Sequence, residues 1–380
     1  MRMHLFRLAC AAVPLLLCAC AGPTSKQPQP AGNEILIGVA GPMSGDLAVF
    51  GQQLKRGAQQ AVADLNMKGG VLGKKVRLAV GDDQCDPKQA ASVANDLAKQ
   101  GAVFVAGHFC SGSSIPASAV YAQAAVLQIT PASTNPKLTE GAAANGVKTL
   151  FRTCGNDNMQ GTFAGKWMAE NYAGKQVAVL DDTSSYGKGV ADETERSMEA
   201  NGLKAALRDS YTQKQKDFST LIARLQTAKI DMVYVGGYHN DIGLLVRQAR
   251  AQGFAGDFAA ADALNTSEFW SIAGTAGDGV RFTDASSQIN FVSAKSVVKE
   301  FRADNYEPEG YTLSAYAAVQ AWAAGAAIAN ATAAGKVADA LHHNVIPTVI
   351  GDLSWDDKGD LTRAEYAWFV WHDAQITEEP

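Results

Sequence analysis

Five short polar clusters in this 380-residue chain have the chemistry to hold a small charged molecule. Ser111 lies just beyond the apolar run 102–106, and Ala132-Ser133-Thr134 follows the run 126–130. Tyr186 comes after 177–180 and Asp181, Tyr238 after 232–235 and the pair Gly236-Gly237, and Asp262 after 258–261. Hydroxyls, with backbone N–H groups at helix starts, suit an anion, and a carboxylate suits a cation. Taken singly, each of these residues reads as a helix cap or a turn. Together they close five candidate strands, and open α/β sheets bind ligands at the carboxyl ends of their strands. The set therefore predicts a site drawn from two sheets.

Other chemistries are poorly supplied. Gly38 and Gly41 follow the first apolar run, but no G-x-G-x-x-G completes a dinucleotide loop and no G-x-x-x-x-G-K-[ST] phosphate loop occurs. No serine sits in a G-x-S-x-G elbow and no nucleophile–base pair is visible, so a hydrolase on an α/β scaffold lacks its machinery. His342 and His343 are adjacent and cannot share a helix face as i,i+4 metal ligands would; the six histidines read as surface or capping residues. Asp356-Asp357-Lys358-Gly359-Asp360 lacks the spacing and terminal Glu of a calcium loop and reads as a polar β-turn. Cys154 reads as a buried, inert thiol. Catalysis, a cofactor and a metal are not expected. With 33 Lys+Arg against 38 Asp+Glu, the formal charge of -5 offers no broad basic field for nucleic acid.

The elements that must position these residues show in the hydropathy pattern. Residues 35–40 form a near-continuous apolar run, as in a strand buried on both faces. Leu54, Ala58, Ala61, Val62 and Leu65 line one helical face, which Gly69-Gly70 terminates. Val76, Leu78 and Val80 alternate as a strand. A helix over 90–99, a strand over 102–106, a helix over 113–123 with Pro116 in its first turn, and a strand over 126–130 follow. The rhythm restarts at 177–180, with helices near 189–200, 218–228 and 242–251 and strands over 232–235, 258–261 and 280–283. Helices near 294–305, 314–329 and 337–342 and a strand over 366–371 complete the chain. Such alternation predicts parallel strands covered by helices on both faces. Two rounds of it predict two α/β lobes, as does the length at roughly 150 residues per domain.

Arg2 and Arg7 precede an apolar stretch over 8–17 that is too short to span a bilayer. Leu17-Cys18-Ala19-Cys20 resembles the bacterial lipoprotein lipobox, which makes residues 1–19 a signal peptide and Cys20 the lipidated first residue. Cys18 fits less well, because Leu17 would take the small-residue position; ordinary cleavage without a lipid is the alternative. Residues 20–33, with Pro23, Pro28 and Pro30, read as a flexible tether. Export places the body outside the cytoplasm, lipid-anchored to a bacterial membrane, where disulfides form. Cys85 and Cys110 flank one helix and one strand and are expected to pair, a constraint of roughly 3–4 kcal/mol on the unfolded chain. No later run reaches about 18 apolar residues, so the body is expected to be soluble.

The longer motifs resemble the leucine/isoleucine/valine-binding protein family, the type I periplasmic binding proteins that serve ABC importers. Gly41-Pro42-Met43-Ser44-Gly45 is similar to the family's first strand–helix loop. Asp82-Asp83-Gln84-Cys85-Asp86-Pro87-Lys88-Gln89-Ala90 and Gly107-His108-Phe109-Cys110-Ser111 are similar to its two disulfide segments. Thr130-Pro131-Ala132-Ser133-Thr134-Asn135-Pro136, Asp217-Phe218-Ser219, Gly236-Gly237-Tyr238 and Trp355-Asp356-Asp357-Lys358-Gly359-Asp360 continue the likeness, which spans residues 34–374.

The resemblance implies two doubly wound lobes with parallel central sheets, joined by three crossovers near residues 154, 285 and 366. Lobe I would comprise 34–154 and 286–366, and lobe II 155–285 and 367–380. It implies a monomeric clamp that closes on a free amino acid, most simply a branched-chain one, and delivers it to ABC permease subunits. By matching position, Ser111 and the Thr134 backbone would hold the α-carboxylate, with Tyr238 adding its hydroxyl. The Ala132 carbonyl, the Thr134 hydroxyl and Asp262 would hold the α-ammonium. Phe50, Tyr186 and Tyr311 would line the side-chain pocket, with Ser133 nearby. Two positions depart from the family pattern: Asp262 stands where Glu is usual, and Phe50 where the best-known members carry Trp, which could enlarge or reshape the pocket. The same clamp with another small cargo, such as an amide, urea or an aromatic acid, is the alternative. A free amino acid carries two opposite charges about one carbon apart, and binding it dry requires partners for both.

Overall fold

A computed structural model describes residues 33–379. The expected signal peptide 1–19, Cys20 and nearly all of the tether lie outside the described residues. The chain opens with β1 (Glu34–Gly41), α1 (Ala48–Met67), β2 (Lys75–Asp82), α2 (Pro87–Lys99), β3 (Phe104–Gly107), α3 (Ser111–Gln123), β4 (Leu127–Thr130), α4 (Pro136–Ala144) and β5 (Leu150–Arg152). These strands form an all-parallel sheet in the order β2-β1-β3-β4-β5. The β1 run is buried from Ile35 onward because helices cover both faces. Asp86 caps α2 through its side chain, accepting from Lys88 N and Gln89 N, with Pro87 in the first turn.

A second unit follows: α5 (Asp157–Asn171), β6 (Val177–Asp181), α6 (Ser185–Ala200), β7 (Leu207–Ser210), α7 (Ser219–Thr227), β8 (Met232–Gly236), α8 (His239–Ala251), β9 (Asp257–Ala260), α9 (Ser267–Ala273) and β10 (Arg281–Ala285). The chain then returns through α10 (Lys295–Ala303), α11 (Thr312–Ala329), α12 (Ala334–His343) and a hairpin of β11 (Ile346–Thr348) and β12 (Gly351–Leu353). Val297, Trp322, Leu341 and Trp355 from this stretch pack in one core with Ile37, Phe104 and Phe151. Finally β13 (Tyr366–His372) and β14 (Gln375–Glu378) join the second sheet, whose order is β14-β13-β10-β9-β8-β6-β7. The chain thus passes between the two sheets three times.

The structure differs from the sequence pattern in four respects. The second sheet is parallel from β7 to β10, but β13 and β14 add an antiparallel edge. The pattern missed α4, β5, α5, β7, α9, β11, β12 and β14. In α5 the reason is packing: methyls at Gly161 and Gly165 would collide with the α6 backbone around Glu193 and Thr194, so glycines stand where an apolar stripe would be sought. Pro116 lies inside α3 rather than in its first turn. His108 and His239 are fully buried rather than on the surface. His108 Nδ1 meets Asp83 Oδ2 at 2.5 Å and its Nε2 meets the Tyr121 hydroxyl at 3.0 Å. The Cys85–Cys110 disulfide is present, with Cα atoms 5.6 Å apart. Among the described residues no helix is long and apolar enough to cross a membrane, and no cluster of His, Cys, Asp and Glu could hold a metal.

Candidate functional site

Strand order fixes where a ligand can go. It reverses between β1 and β3 in the first sheet and between β6 and β8 in the second, so each sheet leaves a crevice beyond those strand ends. The loop after β3 carries Phe109 and Ser111, that after β6 leads to Tyr186 in the first turn of α6, and that after β8 carries Tyr238. Asp262 follows β9 in a short 3-10 helix, Asp262–Leu264. Neither α3 nor α8 has a side-chain cap, whereas α2, α4, α5 and α6 do. The N-terminus of α3 is therefore open to an anionic group at Ser111.

The loop 132–135 is held from beneath by the fully buried Arg152. Its guanidinium donates to the Ser133 carbonyl, to the Asn135 carbonyl at 2.7 Å, to Thr139 Oγ1 at 3.0 Å and to Asp360 Oδ1 at 2.7 Å. Burial pushes the Asp360 carboxyl up, but Arg152 beside it prevails and holds it below its ordinary range. The pair Arg152–Asp360 was not legible in the sequence, because 208 residues separate its members.

Asp262, 4% exposed, is the charge at the centre of the site. The Tyr186 hydroxyl donates to Oδ1 at 2.7 Å, the Tyr311 hydroxyl to Oδ2 at 2.7 Å, and Gln160 Nε2 to Oδ1 at 3.3 Å. Burial raises the Asp262 pKa despite these donors. Tyr311 reaches Asp262 from the start of α11, which packs with the first sheet, so this bond spans the two lobes. Asn135 Nδ2 donates across to the Ser185 carbonyl at 2.5 Å, and Ser267 N to Glu309 Oε2 at 3.2 Å. The lobes are closed on each other.

Two cavities meet at Tyr311. One, of about 10 Å³, is lined by Phe109, Ser111, Ala132, Tyr186, Tyr238, Ala263 and Tyr311. The other, of about 350 Å³, lies toward the crossing strands and is lined by Thr134, Cys154, Asp262, Asp284 and Tyr366 among others. The predicted residues Ser111, Ala132, Tyr186, Tyr238 and Tyr311 thus converge on the first space, and Thr134 and Asp262 on the second. Ser133 and Phe50 line neither. Ser133 turns inward, its hydroxyl bonded to Ser114 Oγ at 2.7 Å and the Phe109 carbonyl at 2.8 Å. Phe50 lies behind Phe109, ring stacked on ring at 4.4 Å. Cys154 is half-buried, and burial pushes its thiol up.

Sequence reasoning missed Asp157, Gln160 and Phe109. Asp157 is fully buried, and neither of its carboxyl oxygens has a hydrogen-bond partner; the Thr134 hydroxyl is likewise unpartnered. Its backbone N–H donates to the Thr134 carbonyl at 2.9 Å. Burial pushes its carboxyl up to about 8. Asp157 and Gln160 are three apart on α5 and share a face, a signal lost because α5 itself was not recognised.

The fold and this crevice define a two-lobed solute clamp. The chain matches the periplasmic binding protein family over residues 34–373 and belongs to it. A leucine-, isoleucine-, valine-, threonine- and alanine-binding protein of Pseudomonas aeruginosa is 40% identical over 350 residues, 92% of this chain and 93% of that one. Leu/Ile/Val-binding protein homolog 1 of Brucella suis is 41% identical over 339 residues, 89% of this chain and 90% of that one. The structure of a branched-chain amino acid transporter substrate-binding protein of Streptococcus pneumoniae, in complex with isoleucine, superposes with a TM-score of 0.83 at 26% identity, covering 91% of this chain and 99% of that one.

Proposed function

We propose that this protein is the extracytoplasmic receptor of an ABC importer and captures a free amino acid with an uncharged side chain, of the branched-chain class, between its lobes. The observation that carries the reading is Asp262: a buried carboxylate held by two tyrosine hydroxyls, with a second acid, Asp157, beside Thr134 and, among the described residues, no basic side chain lining either cavity. The buried Asp262 carboxylate calls for a cation, and the uncapped start of α3 at Ser111 offers the matching anion site. Ser111, Ala132, Thr134, Tyr186, Tyr238, Asp262 and Tyr311 are assigned to the cargo on this basis. The named cargoes of the relatives above agree with it.

The lobes are taken as 34–154 with 286–366 and 155–285 with 367–380, opening about the three crossing segments. Closure excludes water and changes the outer shape that the permease reads. The protein is read as a non-catalytic monomer, tethered by a lipid on Cys20. Thermal melts with each of the twenty amino acids at millimolar concentration test the reading. Stabilisation by one or more of leucine, isoleucine, valine and their smaller relatives is expected, since cargo binds only the folded chain. No shift with any of the twenty would contradict it.

A further inference from the structure

The first lobe presents the cargo with a block of rings rather than a pocket. Phe109 stacks on Phe50 with centroids 4.4 Å apart and planes 13° apart, and meets Tyr311 edge-on at 5.0 Å. Phe50 in turn meets Tyr311 at 5.7 Å and, across the cleft, His239 at 5.1 Å. All of these side chains are buried. The block cannot retreat. Phe50 sits on α1, where a Cβ at the neighbouring Gly51 would collide with the Pro42 carbonyl, so the helix already lies against the β1 loop. From the second lobe Tyr238 approaches Phe109 at 6.1 Å, and Tyr186 packs on Tyr238 at 5.1 Å. The space these rings leave beside Ser111 and Ala132 is about 10 Å³, near the volume one water needs.

We infer that Phe109 sets a ceiling on the size of the cargo side chain, so that alanine, threonine and valine are preferred to leucine and isoleucine. The inference rests on the amino-acid reading and moves its preference from the larger branched-chain side chains toward smaller ones. Ser111 follows Phe109 by two residues and lines the same space. A cargo held there by its carboxylate turns its side chain toward the Phe109 ring. Lobe II can yield to a small side chain by a slight opening of the cleft; the stacked Phe109–Phe50 pair on lobe I cannot. Each further methylene must displace a ring. Tyr186 and Tyr311 are bound through their hydroxyls to Asp262, so Phe109, which has no such tie, is the ring whose size decides the room. The larger chamber has apolar walls too, Ile289, Leu313, Phe369, Trp371 and Ile376 among them, but it meets the space beside Ser111 only at Tyr311, whose hydroxyl is bound to Asp262. Asp262, Asp284, Glu307, Glu309 and Glu378 line that chamber, without a Lys or Arg among the described residues.

Isothermal titration of alanine, valine, leucine, phenylalanine and lysine into the wild-type chain, Phe109→Leu and Phe109→Ala tests the ceiling. The wild type is expected to bind alanine or valine at least about 10-fold more tightly than leucine, the discrimination a methylene or two supplies. Phe109→Leu should raise leucine affinity at least about 10-fold and lower alanine affinity a few-fold. Leucine bound as tightly as alanine by the wild type, or lysine bound best of all, would overturn the ceiling while leaving an amino-acid receptor in place. Binding of none of them would overturn the reading beneath it as well. Should a variant melt below the assay temperature, the wild-type order alone decides.

Discussion

Asp262 and Asp157 are paired as acids but not in their surroundings. Asp262 has three donors, whereas Asp157 has none on either oxygen. A carboxyl pushed up to about 8 in the folded chain keeps a proton that the unfolded chain, with an ordinary value near 4, gives up. The folded state therefore binds more protons between about pH 4 and 8, and its stability falls as pH rises through that window. Asp284, also pushed up to about 8 by burial and by Asp262, acts in the same direction. Asp157→Asn should stabilise the cargo-free protein at pH 8.5 by roughly 1–3 kcal/mol, the cost of a buried unpaired group, and change it little at pH 5. Urea denaturation at the two pH values checks this; an equal difference at both would show that the proton plays no part. The sequence revealed Asp262 because it ends an apolar strand. It concealed Asp157, which follows the three-residue strand β5 and opens a helix whose face toward α6 is glycine.

At the scale of elements, position follows from close backbone approach. Helix α11 carries Tyr311 at its start and lies against α1 through Gly57, whose Cβ would collide with the Thr312 carbonyl. Gly57→Ala must push the two helices apart, at about 1–3 kcal/mol of overpacking, and should withdraw the Tyr311 hydroxyl from Asp262. The expected result is a lower melting temperature together with cargo affinity reduced several-fold; a variant that melts early but binds normally would separate α11 placement from the site. Helices with an apolar stripe, such as α1 with Phe50, Leu54, Ala58, Ala61 and Val62 buried, were legible in the sequence because burial on one face leaves a period. So were the parallel strands, which are buried on both faces. The antiparallel edge of β13 and β14 was only half legible. Residues 366–371 read as an apolar strand, but nothing local specifies that the strand runs against β10. Ser133 misled for a similar reason. Its neighbours Ala132 and Thr134 line the cavities, while its own hydroxyl is taken up by the Phe109 carbonyl.

The whole molecule is two sheets whose crevices face each other, joined where the chain crosses near Arg152, Ala285 and Tyr366. Closure is held by contacts that each lobe supplies in part: Tyr311 to Asp262, Asn135 to Ser185 and Ser267 to Glu309. A guest with only one charge satisfies one half of this arrangement and leaves the other half buried without a partner, at several kcal/mol. Affinity should therefore require both charges on one molecule. The direct measurement is calorimetric titration of valine beside 3-methylbutanoate, which lacks the ammonium, and valine methyl ester, which lacks the carboxylate. Binding of valine at least 100-fold tighter than either analogue, lost in Asp262→Ala, is the predicted result. Equal binding of valine and 3-methylbutanoate would contradict the role given to Asp262 and, with it, the amino-acid clamp.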